Sequence, residues 1–233
     1  MLAKTRAIVL HHIDYGETSL LLYCYTREYG RITFVVSGVR KRKSRIPAHY
    51  FQPLNILDIH FYHKANRNMF RLKEVSCPAH YATIPFDINK RCIAMFLAEV
   101  MYRTLHEEES NTVLFDFCEH AYQTLDGHYD GTSGFHLMFL LHFSKYLGIY
   151  PSGLLEGNTV EMQADLQVFH DLPEKARNAV ISMMQTNWSG LAAIHMDGET
   201  RNLILDKMVL FYKTHLHGMF HLKSLPVLKE VFR

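Results

Sequence analysis

Residues 5–37 read TRAIVLHHIDYGETSLLLYCYTREYGRITFVVS, and this stretch decides the fold. Thr5–His12, Thr18–Thr26 and Arg31–Ser37 are rich in Ile, Val, Leu, Tyr and Phe, and they part at Tyr15-Gly16-Glu17 and Glu28-Tyr29-Gly30. Branched and aromatic side chains suit a pleated, half-buried surface, and the glycines supply the reversals, so the segment predicts three strands joined by tight turns. Two further runs, Leu54–Tyr62 and Met69–Ser76, flank the polar stretch His63-Lys64-Ala65-Asn66-Arg67-Asn68. Asp58 and His60 alternate with Ile59 and Phe61, the period of two that marks a half-buried strand. Five short strands within 80 residues predict a small β-barrel.

After Pro78 the period changes. Asp87–Leu105 carries Ile93, Phe96, Leu97, Val100 and Met101 at three-and-four spacing behind Asp87 as an N-cap, which predicts an amphipathic helix. Asn111–Leu125 and Ser133–Leu147 repeat the pattern, the second stopped by Gly148 and Pro151. Asp171-Leu172-Pro173-Glu174 has the cap, early proline and acidic position of another helix start, and Thr200–His217 is a further helix. Gly148–Gln163 has no clear period. The expected class is α+β: a barrel module over residues 1–80 and an all-α module over 81–233.

Charge divides the chain at the same place. Of 25 Lys/Arg and 23 Asp/Glu, residues 1–80 hold 13 and 5, a net +8, whereas the remainder holds 12 and 18, a net −6. Such asymmetry points to two modules with different partners, the basic one facing a polyanion. Cys24, Cys77, Cys92 and Cys118 lie far apart with no C-x-x-C pair, which argues against a disulfide scaffold or zinc ribbon. No window approaches the roughly 18 continuous apolar residues of a membrane span, so no membrane contact is expected and the expected location is cytoplasmic.

The sharpest local feature is Ser37-Gly38-Val39-Arg40-Lys41-Arg42-Lys43-Ser44-Arg45, five cations in six positions directly after a strand. A flexible run of this kind neutralises phosphates with little regard to base sequence. Arg6, Arg27, Arg31, Lys64, Arg67, Arg71 and Lys73 belong to the same basic module. Tyr23, Tyr25, Tyr29, Phe34, Tyr50, Phe51, Phe61 and Tyr62 are interleaved with them, mostly as expected core and in part as platforms for unpaired bases. Among 16 histidines the tightest group is His215, His217 and His221, of which only 217 and 221 share a helical face, too little for a metal site. No nucleophile elbow, zinc-protease motif, phosphate loop or dinucleotide turn occurs, and Glu107-Glu108-Glu109 reads as a solvated loop. No catalytic residue is expected.

Taken together these motifs resemble the DNA repair protein RecO family. Ala7-Ile8-Val9-Leu10, Tyr15-Gly16-Glu17, Thr26-x-x-x-Gly30-Arg31 and Ser37-Gly38-Val39-Arg40 through Lys43-Ser44 follow the order and spacing of that family's N-terminal OB-fold. Phe51-Gln52-Pro53-Leu54 and Leu72-Lys73-Glu74 continue the match. Glu107-Glu108-Glu109 before Leu114-Phe115, Leu147-Gly148-Ile149-Tyr150-Pro151 and Leu222-Lys223-Ser224 resemble its helical domain. The resemblance implies a mediator without turnover chemistry that binds single- and double-stranded DNA and anneals complementary strands. It also implies that the mediator acts with RecR to help RecA displace single-strand-binding protein. It places DNA binding on Arg40, Lys41, Arg42, Lys43 and Arg45, with Arg6, Arg27 and Arg31 as further candidates.

The resemblance also implies a helical-domain site for the acidic, hydrophobic tail of single-strand-binding protein. Because that half carries net −6, an apolar groove with a few cations is required, from among Lys90, Arg91, Arg103, Lys145, Lys175, Arg177 and Lys207. Many relatives follow the corresponding Pro151 with two C-x-x-C pairs that hold zinc. Here Ser152-Gly153-Leu154-Leu155-Glu156-Gly157-Asn158 stands instead, and no cysteine follows Cys118, so no structural metal and no cofactor are expected. Two other classes fit the composition: a non-catalytic adaptor for an acidic protein, and an RNA-binding OB protein that reads the 2′-hydroxyl.

Overall fold

The computed structural model describes residues 1–41, 44, 46–64, 67, 69–78, 81–127, 131–155, 164–216 and 221–232, the side chains of 164–166 excepted. Contacts gather into two compact units, Met1–Ala82 with Leu97–Gln123, and Thr83–Phe96 with Thr124–Arg233.

In the first unit β1 (Leu2–Tyr15), β2 (Ser19–Thr26), β3 (Gly30–Val36), β4 (Ile56–Tyr62) and β5 (Met69–Ser76) close into a barrel in the order β1-β2-β3-β5-β4. All pairs are antiparallel except β3 with β5. The strand pattern implied a small barrel, and the closed barrel observed is consistent with the OB-fold that the family resemblance implied. Ala7, Val9, Leu22, Cys24, Phe34, Leu57, Ile59 and Phe61 alternate inward and fill the interior. Ile8, between Ala7 and Val9 and paired with Tyr25, faces outward by the same alternation and is buried on the outer face; a bulge between Val9 and His11 then shifts the register of β1.

Helical segments cover that outer face. Helix α1 (Ile88–Thr104) contributes its C-terminal half to this unit, and α2 (Thr112–Asp126) nearly all of its length. Phe115 lies 6.4 Å from the Tyr25 ring, burial pushes the Tyr25 phenol up, and the Tyr122 hydroxyl donates to the Met101 sulfur. Asn111 caps α2 by accepting from the Leu114 N–H at 3.0 Å.

The β2–β3 turn joins barrel to helices. Thr26 Oγ donates to the Gly30 carbonyl at 2.8 Å and accepts from the Tyr29 N–H at 3.2 Å, closing the turn. Gly30 takes a left-handed φ of 62°. The Arg31 N–H then donates to the Glu107 carbonyl at 2.9 Å, and Ser110 Oγ donates to the Arg27 carbonyl at 3.0 Å. Two motifs far apart in sequence, Thr26-x-x-x-Gly30-Arg31 and Glu107-Glu108-Glu109, thus meet through their backbones.

The second unit is helical: the start of α1, then α3 (Phe135–Tyr146), α4 (Glu174–Gln185), α5 (Gly198–His215) and α6 (Leu225–Val231). Phe139, Phe143, Met183, Phe211 and Tyr212 are fully buried, and the Tyr212 hydroxyl donates to the Leu140 carbonyl at 2.7 Å. Asp87 caps α1 as expected, accepting from the Asn89 N–H at 2.8 Å, and Asp197 caps α5. Helix α4 differs from expectation: its N-cap is Pro173, whose backbone is extended and offers no side-chain cap, and the Asp171 carboxylate, two residues earlier, accepts from Lys207 Nζ at 2.5 and 2.7 Å.

His136 on α3 is fully buried against Phe96 and Phe232, and its Nδ1 has no hydrogen-bond partner among the described residues. Burial, aided by the Arg201 charge, pushes the imidazole down to about 3. The unfolded chain binds a proton here below its ordinary value near 6.5, whereas the folded chain stays neutral, so stability falls as pH falls through 6.5 toward 3. The slope from this one group approaches about 1.4 kcal/mol per pH unit. Urea unfolding at pH 7, 5.5 and 4.5 is expected to show that decline, flattened by about one proton in His136→Phe; an equal slope in the variant would assign the acid sensitivity elsewhere.

Candidate nucleic-acid interface

The basic loop leaves β3 at Ser37 and is held from beneath. Gly38 adopts φ 75°, Val39 is buried with the barrel core, and Ile46 packs against the same cluster. The Arg40 N–H donates to the Thr18 carbonyl at 3.2 Å, and Ser44 Oγ donates to the Ile46 carbonyl at 2.8 Å. Apolar anchors at 39 and 46 leave Arg40 and Lys41 exposed. Arg40 pairs with Asp14 at 3.1 Å, fixing the loop to the end of β1. Arg42, Lys43 and Arg45 lie outside the described residues.

β3 and β5 pair over only three positions, Thr33 with Met69, Phe34 with Phe70 and Val35 with Arg71. Beyond them the strands part, and the loop spans the gap. A cleft of about 550 Å³ results, lined by Ser37, Gly38, Lys41, Ser44 and Ile46 on one side and by Arg71, Leu72 and Lys73 on the other, with Val36 between. Its charged groups are all cations. Two hydroxyls and three cations, with no carboxylate among the described lining residues, suit a polyanion better than a small apolar ligand. Lys73 also reaches Glu74 at 3.6 Å and lies 5.7 Å from the ring of Tyr62, which is 56% exposed.

Arg71 and Lys73 belong to the basic module by sequence, and the fold adds them to the cleft. Their signal was present: on β5 they alternate with buried Phe70 and Leu72, so both point outward on one face. What joins them to Lys41 is the β3–β5 pairing, 30 or more residues apart in sequence.

The other three candidate arginines are engaged within the same unit. Arg31 donates to the Tyr102 and Leu105 carbonyls at 2.6 and 2.7 Å, capping the end of α1, and lies 4.4 Å over the Tyr102 ring. Arg27 grips Asp116 with two bonds, Nε at 2.9 Å and Nη2 at 3.0 Å. Arg6 reaches Glu119 at 3.0 Å and Asp58 at 3.9 Å. Around them is a second cleft, of about 510 Å³, in which Lys4, Thr5, Arg6 and Arg27 face Glu28, Asp58, Asp116 and Glu119. Four carboxylates against three cations leave it slightly acidic.

Of the aromatic residues, Tyr25, Phe34, Phe51 and Phe61 are buried, Tyr29 and Tyr50 pack against the barrel core, and Tyr23 meets Tyr102 edge-on at 5.3 Å. Among the eight aromatic residues interleaved with the cations, Tyr62 is the exposed one. Among the described residues no group of three or more His, Cys, Asp or Glu is arranged to hold a metal. His215 Nδ1 sits 2.8 Å from the Phe211 carbonyl, and His217 lies outside the described residues. All four cysteines are buried, and burial pushes the Cys24 and Cys118 thiols up, which leaves them inert. No helix among the described residues is long and apolar enough to cross a membrane.

The family model described as Recombination protein O N terminal matches residues 1–81, and Recombination protein O C terminal matches 85–154. The chain is 39% identical over 241 residues to the DNA repair protein RecO of Phocaeicola vulgatus, and 36% identical over 238 residues to that of Flavobacterium psychrophilum. The Bacteroides fragilis protein of the same name is 33% identical over 242 residues, and each match covers 100% of both chains. With an OB barrel, a basic cleft on it and this likeness over its full length, the chain belongs to the DNA repair protein RecO family and has a role in DNA repair and recombination.

Proposed function

We propose that the chain is a non-catalytic, cytoplasmic recombination mediator that holds single- and double-stranded DNA by the backbone, anneals complementary strands, and with RecR helps load RecA onto DNA coated with single-strand-binding protein. The observation that carries the reading is the cleft whose charged lining is Lys41, Arg71 and Lys73. In this reading residues 1–80 supply DNA binding and 81–233 supply partner binding. Lys41 and Arg40 continue the backbone contact onto the loop, Arg40 beside Asp14 at the end of β1, and Arg42, Lys43 and Arg45, outside the described residues, are further phosphate-binding candidates of the same run. A cationic surface that holds two backbones screens their repulsion and raises the local strand concentration, while base pairing supplies specificity.

For the acidic tail of single-strand-binding protein, the helical candidates narrow. Lys90 is buried with its ammonium on Thr83 Oγ and the Gly127 carbonyl, Lys175 pairs with Asp197, and Lys207 pairs with Asp171. Arg91 is exposed on α1 between Ile88 and Met95, 55% and 58% exposed on the same helical face, beside Phe86 at 85%. One cation within an apolar stripe matches a peptide that is acidic and ends hydrophobic.

The deciding experiment is annealing of complementary strands coated with single-strand-binding protein, with and without RecR and without any nucleotide cofactor. Faster annealing by the chain, slowed by Lys41→Ala/Arg71→Ala/Lys73→Ala, is the expected result. Rates equal to spontaneous annealing would overturn the reading.

A further inference from the structure

Helix α2 presents Asp116 and Glu119, three residues apart and therefore on one face, to the two arginines of the second cleft. Asp116 receives Arg27 through two parallel bonds of 2.9 and 3.0 Å, the fork geometry in which arginine also binds phosphate. Glu119, its side chain only 12% exposed, holds Arg6 at 3.0 and 3.4 Å. The Arg27 hydrogen bond holds the Asp116 carboxyl below its ordinary range, so it stays charged, whereas burial pushes the Glu119 carboxyl up. Glu28 and Asp58 add further negative charge to the same cleft.

We infer that Asp116 and Glu119 set the edge of the DNA footprint by occupying the places where phosphates would meet Arg27 and Arg6. This rests on the proposed DNA binding at the Lys41–Arg71–Lys73 cleft. A phosphate approaching Arg6 or Arg27 must displace a carboxylate already in bonding geometry and then remain beside it, so these arginines, although part of the basic module, add no backbone contact. The DNA is confined to the cleft between the loop and β5, whose charged lining among the described residues is Lys41, Arg71 and Lys73. Apolar packing holds α2 in place as well as the ion pairs: Phe115, Cys118 and Tyr122 are fully buried, the exposed Arg27–Asp116 pair contributes little to stability, and Glu119→Gln keeps the shape of the side chain at the more buried Arg6 pair. Neutralising the two acids therefore opens the cleft to phosphate without unfolding the helix.

The test is the salt dependence of duplex binding by the full chain, followed by fluorescence anisotropy. Asp116→Asn/Glu119→Gln should bind more tightly and with a slope of log K against log salt steeper by about 1.8, two phosphates at roughly 0.9 each. If affinities converge near 1 M salt, that is about sixtyfold tighter at 0.1 M. Asp116→Asn alone, at the more exposed pair, should give about half the change in slope. Adding Arg6→Ala/Arg27→Ala to the acid-free chain should restore the original slope, whereas the same arginine changes in the unaltered chain should leave the slope alone. An unchanged slope in the acid-free chain overturns the inference, as does a shallower one in Arg6→Ala/Arg27→Ala alone, since those arginines would then already touch DNA. If Lys41→Ala/Arg71→Ala/Lys73→Ala also leaves the slope unchanged, the failure belongs to the DNA-binding reading itself.

Discussion

Replacing Lys41, Arg71 and Lys73 together by alanine is expected to weaken duplex binding about 500-fold at 0.1 M salt and to make the salt slope shallower by about 2.7, three phosphates at roughly 0.9 each. The estimate takes the affinities of the two proteins to converge near 1 M salt, where released counterions no longer favour the complex. Loss should be nearly equal across DNA sequences, because contacts to phosphates carry no base sequence. All three are exposed on the loop and on the outer face of β5, so the melting temperature should hold. Anisotropy titrations on two unrelated duplexes at four salt concentrations measure all of this. A uniform loss of affinity with no change of slope would show a folding defect rather than lost phosphate contacts.

Gly30→Ala is expected to destabilise the first unit by about 3 kcal/mol or more, with a fall in Tm on the order of 6–12 °C. Two costs coincide at this glycine. Its φ of 62° penalises any residue with a Cβ, and an added Cβ would lie 2.4 Å from the Glu109 carbonyl oxygen and 2.6 Å from that of Glu107. Both neighbours are backbone, so the clash cannot be relieved by turning a side chain. It must push the 107–109 segment off the turn, breaking the bond from the Arg31 N–H to the Glu107 carbonyl. Gly16→Ala is the control: φ is again 62°, but nothing lies within 4 Å, so only the conformational cost of about 1–2 kcal/mol remains. Thermal melting of the two variants separates strain from collision. Equal losses would mean that the contact with 107–109 carries no weight.

Much of this was legible from the sequence because it depends on local periods. Alternation in Leu54–Tyr62 and the glycine turns after Thr18–Thr26 gave strands, and the three-and-four spacing of Ile93, Phe96, Leu97 and Val100 gave α1. What was not legible depends on partners distant in sequence. Arg6 and Arg27 looked like the cations of the loop, yet their fates are set by Glu119 and Asp116, 113 and 89 residues away. Arg31 belongs to a recognisable motif, but its task of capping α1 becomes visible only when Tyr102 and Leu105 are beside it. Asp171 has the spacing of a cap, but the helix begins at Glu174 behind Pro173, and the Asp171 carboxylate meets Lys207 of α5, 36 residues away. Arg71 and Lys73 carried the opposite lesson, since their alternation marked them as outward, and only the parallel β3–β5 pairing brought them to Lys41.

On the proposed reading, the barrel holds DNA through its phosphates. This is tested most directly by titrating the unaltered chain against two duplexes of unrelated sequence and one single strand between 50 and 400 mM salt. The account predicts straight lines of log K against log salt, with the same slope for both duplexes and a shallower one for the single strand, whose phosphates each release fewer counterions, about 0.7 against 0.9. Affinity that is insensitive to salt, or that differs strongly between the two duplexes, would contradict it.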